Sequence, residues 1–131
     1  MVNQKLLQPQ EIEVLYILPA IRRELAKDMK KQGMEQKKIA KLLGVTEAAI
    51  SQYIKSKRAS KVKFGKEPLK LIKSAANKIT DKRSMLREVQ TLLKEMRKEG
   101  ITCKVHKELA NLPNECIACS DSEKADVEIR K

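Results

Sequence analysis

"QKKIAKLLGVTEAAISQYIK", residues 36–55, is the stretch on which the fold turns. Ile39, Leu43, Val45, Ile50 and Ile54 recur at helical spacings on either side of Gly44. Two helices that cross steeply need a small residue where they meet and a glycine at the turn between them. Ala40 and Gly44 supply these. The spacing predicts a helix over 35–43, a stop at Gly44, and a further helix starting after Thr46, whose hydroxyl can cap it. Held in this way, the N-terminal half of the second helix can enter a major groove. The same layout also builds compact cores in proteins that never touch DNA, so charge has to separate the two uses.

Charge favours a polyanion as partner. The chain has 131 residues and a formal charge of +12. Residues 1–100 hold 24 basic and 11 acidic side chains, whereas residues 101–131 hold 5 and 6. Each phosphate neutralised by a cation releases counterions, and that release drives binding. On the outward side of the second helix lie Glu47, Ala48, Ser51 and Gln52, the candidate base-reading residues. Gln52 can pair bidentately with adenine, Glu47 can accept from cytosine, and Ala48 can touch a thymine methyl. Gln36, Thr46 and Lys55, with Ser51 as a second possibility, are placed for phosphates. The basic connector "SKRASKVKFG" (56–65) adds Lys57, Arg58, Lys61 and Lys63 as phosphate candidates.

Working outward, the only aromatic residues are Tyr16, Tyr53 and Phe64, and glycine and proline are few. Apolar positions mostly recur at three and four, so the expected fold is all-α. Pro19 suits the first turn of a helix to about Lys31, with Ile21, Leu25 and Met29 on one face and Gly33 as its stop. Upstream, "EIEVLYILP" is either a short helix or an extended lead-in. Pro68 opens a helix carrying Leu69, Ile72, Ala76 and Ile79. Asp81 can cap a longer helix to Glu99, on which Met85, Val89, Leu92 and Met96 form a stripe beside Leu86 and Leu93. Such a stripe packs on the domain core or on a second copy of itself, and a homodimer is expected. The expected organisation is a DNA-binding unit over 10–65, a helical dimerisation region over 66–100, a cysteine segment over 101–120 and a mobile tail over 121–131.

The opening residues lack the pattern of a signal peptide, and no apolar run approaches the ~20 residues that span a bilayer. A cytoplasmic protein with no membrane partner is expected, in a compartment where thiols stay reduced.

"ITCKVHKELANLPNECIACS", residues 101–120, holds all three cysteines and the only histidine. Cys103 and His106 are three apart, as are Cys116 and Cys119, and Pro113 and Asn114 can turn the chain so that the pairs meet. Ordinary burial of small thiols and a reversible Cys116–Cys119 disulfide are the simpler readings. The disulfide lacks a thioredoxin-like βαβ context. "HKE" and "PNECIAC" partly match the elements of zinc deaminases. However, Pro113 is not adjacent to Cys116 and no sheet is expected to hold a substrate, so no enzyme is expected. That leaves a metal site in which Cys103, Cys116 and Cys119, with or without His106, hold either one zinc ion or an iron–sulfur cluster.

"LPAIRRELAKDMKKQGMEQKKIAKLLGVTEAAISQYIKSKR", residues 18–58, resembles the helix-turn-helix of small archaeal transcriptional regulators, a branch of the phage-repressor-like (XRE/Cro) class. The resemblance is carried by "LPAIR", "IAKLLGVTEAAISQYI" and the basic end of the second helix. Met34 departs from the polar capping residue often found in the class. The resemblance implies base contacts from Glu47, Ala48 and Gln52, phosphate contacts from Gln36 and Thr46, and palindromic double-stranded operators bound by dimers. It also implies a redox-responsive cofactor. Together with the absence of a glycine from "CIACS", this favours an iron–sulfur cluster that senses redox state or iron. The alternative is a structural zinc ion that only stabilises the fold.

Overall fold

The structure is a computed structural model that describes residues 8–55, 62–109 and 127–129. It is built mainly of helices in one packed body. α1 (Pro9–Ile12) runs through a π-helical turn (Glu13–Ile17) into α2 (Leu18–Lys31), so "EIEVLYILP" is helical. Pro19 offers no amide to the carbonyl four residues back, and the bonding ladder shifts there, with the Leu18 N–H donating to the Glu13 carbonyl. α3 (Gln36–Leu43) and α4 (Glu47–Ile54) form the helix–turn–helix around Gly44, whose φ of 70° suits glycine. The Thr46 hydroxyl caps α4 by accepting from the Ala49 N–H at 3.0 Å. The N-cap of α3 is Glu35, whose side chain makes no capping bond, and Met34 before it packs against the core.

α5 (Lys66–Lys78), α6 (Lys82–Lys98) and α7 (Ile101–Leu109) complete the helical part. Asp81 caps α6 in a reciprocal box. The Ser84 N–H donates to Asp81 Oδ1 at 2.8 Å, and the Asp81 N–H donates to Ser84 Oγ at 3.0 Å. Gly100, at φ 78°, ends the helix one residue past its cap.

α2 is the hub and packs against α3, α4 and α5; α6 lies on α5, α7 and α3. One buried cluster therefore runs from Ile12, Ile21 and Leu25 through Ile39, Ile50 and Ile72 to Met96 and Val105. The helices expected to form a separate dimerisation region share this core. Met85, Val89, Leu92, Leu93 and Met96 are buried within the chain, while Leu86 remains 68 % exposed. An apolar stripe specifies a face to be covered, and here the cover is the chain's own α3, α5 and α7.

The mostly helical expectation holds, and one short strand pair adds to it. β1 (Val62–Phe64) pairs antiparallel with β2 (Val127–Ile129) in the register Val62↔Ile129, Lys63↔Glu128, Phe64↔Val127. Both segments alternate apolar and charged residues, which places Val62, Phe64 and Val127 inward and Lys63 and Glu128 outward. Residues 127–129 of the expected mobile tail are thus a paired strand. Among the described residues, no helix is long and apolar enough to cross a membrane.

Candidate nucleic-acid interface

α4 is amphipathic in the sense the interface needs. Ala49, Ile50 and Tyr53 are buried against α2 and α3, while Glu47, Ala48 and Gln52 are exposed together on the opposite side. The Gln52 carboxamide therefore has both its donor and its acceptor available for one base edge. Glu47 lies in the first turn, where the helix dipole favours a carboxylate. Ser51 is half-buried and accepts from Gln36 Nε2 at 3.1 Å. That bond joins the first residue of α3 to the middle of α4.

Thr46 uses its oxygen lone pair for the cap, which leaves the hydroxyl proton able to donate to a phosphate. Lys55 is exposed just beyond the end of α4, and Lys63 is exposed on β1. Lys57, Arg58 and Lys61 lie outside the described residues. The structure thus brings Gln36 and Ser51 into contact, aligns Glu47, Ala48 and Gln52 on one face, and puts Thr46 and Lys55 at the two ends of that face.

Arg23 was not among the expected site residues, yet it anchors β1. Its side chain is 4 % exposed; Nη2 donates to the Val62 carbonyl at 2.9 Å and Nε donates to Glu24 Oε2 at 2.7 Å. In sequence, Arg23 looks like one of many basic residues, because its partner is 39 positions away. Lys66, exposed at the start of α5, lines a groove between α2 and α5 together with Glu24, Asp28 and Lys73.

Of the proposed metal ligands, Cys103 and His106 stand three residues apart on α7, and both are buried, at 4 % and 8 % exposure. Cys116 and Cys119 lie outside the described residues. No group of three or more His, Cys, Asp or Glu side chains that could hold a metal assembles among the described residues. α7 itself is tied down on both sides of Cys103. Thr102 Oγ1 donates to Glu13 Oε2 at 3.2 Å, and Lys104 Nζ donates to the Val127 carbonyl at 3.1 Å.

Residues 25–64 match the Helix-turn-helix family, from the middle of α2 through β1. No curated protein and no solved structure matches the chain. The matched segment contains every described residue of the α4 face, and it supports a DNA-binding transcription regulator.

Proposed function

We propose that the chain is a sequence-specific transcription regulator that binds a palindromic double-stranded DNA operator as a homodimer. The reading is carried by the outer face of α4, where Glu47, Ala48 and Gln52 are exposed on a helix whose other side is locked into the core. In this reading Gln52, Glu47 and Ala48 read base edges, with Ser51 close behind them through its bond from Gln36. Gln36, Thr46, Lys55 and Lys63 fix the phosphates, joined by Lys57, Arg58 and Lys61. Two copies would place their α4 helices in successive major grooves, about 34 Å apart. Because the 85–96 stripe is used inside the chain, the second copy would dock on another surface.

The C-terminal donors are proposed to hold an iron–sulfur cluster through Cys103, Cys116 and Cys119, with or without His106. The donor chemistry fits: three thiols and an imidazole, two of them one helical turn apart and shielded from water on α7. When bound, the cluster would supply reversible one-electron chemistry responsive to redox state or iron supply. α7's own residues hold Cys103 in place through Thr102 and Lys104.

Selection of duplexes from a random pool, followed by binding titrations, tests the DNA reading. A preferred palindrome is expected, with Gln52→Ala relaxing preference at one base pair by about 1–3 kcal/mol. Absence of any sequence preference would overturn it. Anaerobic purification with an absorption spectrum and metal analysis tests the cluster. Iron with sulfide is the expected result, and one zinc per chain would replace the sensor with a structural clasp.

A further inference from the structure

α6 carries one more leucine than its own core uses. Met85 and Val89 are buried, whereas Leu86, next round the helix, is 68 % exposed. It lines a groove of about 370 Å³ where α2, α3 and α6 meet, together with the half-buried Leu18 and Leu42. Arg22, Lys41 and Lys82 line the same groove, and among the described residues no carboxylate does. None of these three cations forms an ion pair with a described residue. In the groove between α2 and α5, by contrast, Lys66 and Lys73 share the lining with Glu24 and Asp28.

We propose that the groove between α2, α3 and α6 docks an acidic amphipathic helix of a partner protein. Aliphatic side chains of that helix cover Leu18, Leu42 and Leu86, and its carboxylates meet Arg22, Lys41 and Lys82. The proposal adds a protein partner to the DNA reading and stands independently of it.

Charge complementarity selects the occupant. A phosphate backbone would answer the cations but has no apolar surface for three leucines. A second copy docked groove to groove would set the cations of one chain against those of the other, and like charges brought together oppose association. A helix with aliphatic residues at spacings of three and four, flanked by Asp or Glu, answers both parts of the lining. Glu47, Ala48 and Gln52 are not among the lining residues, so a helix docked here leaves the base-reading side chains uncovered by the groove itself.

A phage-displayed library of helical peptides randomised on one face tests this, selected on the full-length protein at physiological salt. Enriched peptides are synthesised and titrated by fluorescence anisotropy. They should carry aliphatic residues three and four apart with carboxylates beside them, and bind at least about tenfold more tightly than scrambled versions of the same composition. Leu86→Ser alters one exposed side chain and should weaken these peptides by about tenfold or more while leaving duplex binding unchanged. Lys41→Glu should weaken them as well, and a peptide in which lysine replaces the facing carboxylate should recover part of that loss.

No enrichment, enriched peptides without the acidic–aliphatic pattern, or equal binding to wild type and Leu86→Ser overturns the proposal. If Leu86→Ser lowers self-association in sedimentation equilibrium, the groove is a seam between copies. If Lys41→Ser weakens duplex binding and leaves peptide binding unchanged, its cations serve DNA. Either of these results also overturns it.

Discussion

Arg97 grips Glu13 across 84 positions of sequence, with Nε–Oε2 at 2.6 Å and Nη2–Oε1 at 2.9 Å. The carboxylate lies in the π-helical turn before α2, and the guanidinium lies in the last turn of α6. The contact therefore closes the N-terminal helix onto the α6–α7 corner. Glu13 is nearly excluded from water while Arg97 is half exposed. Among the described residues, removing the arginine leaves the buried carboxylate with the Thr102 hydroxyl as its side-chain partner, so Arg97→Ala should cost about 2–3 kcal/mol. Glu13→Gln on that background should recover part of the loss, because a neutral amide tolerates burial better. Denaturant unfolding of the two single variants and the double variant checks this, and strict additivity would show that the pair is not coupled.

The stripe on α6 makes a second prediction, about where its apolar residues are spent. Met96 is fully buried within one chain. Met96→Ala should therefore lower stability by about 2–5 kcal/mol while leaving self-association unchanged. A stripe spent in a seam between two copies would instead make the same substitution weaken self-association. Denaturant unfolding together with sedimentation equilibrium of the wild type and the variant separates the two.

The helix–turn–helix was legible because its constraints are local. Ala40, Gly44 and Thr46 each answer a requirement set by residues within one turn, and each takes the expected place: buried at the crossing, at positive φ, and capping α4. Asp81 was legible for the same reason. What covers the α6 stripe was not legible, since periodicity defines a face and leaves its cover open. The β1–β2 pair was invisible because each strand has three residues and its partner lies more than sixty positions away. Glu13 and Arg23 looked like surface charges for the same reason: their carbonyl, guanidinium and hydroxyl partners are supplied by distant elements. For the cysteine segment, spacing suggested a ligand set, of which the described residues include Cys103 and His106.

Substitutions at two positions of the motif separate backbone strain from packing. A Cβ at Gly44 would meet no atom within 4 Å, so Gly44→Ala carries only the penalty for positive φ, about 1–2 kcal/mol. Gly44→Asn should cost less, because asparagine tolerates the left-handed region better. Ala40 is buried where α3 sits in the core, and Ala40→Leu should cost about 1–3 kcal/mol through overpacking. Equal losses for Gly44→Ala and Gly44→Asn in chemical unfolding would contradict the strain argument.

Asp81 and Asp28 should give acid responses of opposite sign. The Ser84 backbone amide and then its hydroxyl hold the Asp81 carboxyl below its ordinary value of 3.8. A group depressed in the folded state stabilises the fold above its unfolded pKa, and that contribution is lost as pH falls through the lower folded value. Burial, followed by repulsion from Glu24, raises the Asp28 carboxyl above 3.8. Its charged form therefore opposes folding at neutral pH, and the opposition disappears as pH falls through the raised value and on past the unfolded one. Asp28→Asn should accordingly stabilise the protein at pH 7 by well under about 1 kcal/mol, since much of the group is screened by water. It should have no such effect once the pH is below 3. Asp81→Ala should destabilise at pH 7 and approach wild type in strong acid, whereas Asp81→Asn, which keeps an acceptor for the Ser84 amide, should retain much of the cap. Unfolding midpoints of the three variants between pH 2.5 and 7 check both signs, and a stabilising effect of Asp81→Ala at neutral pH would refute the capping account.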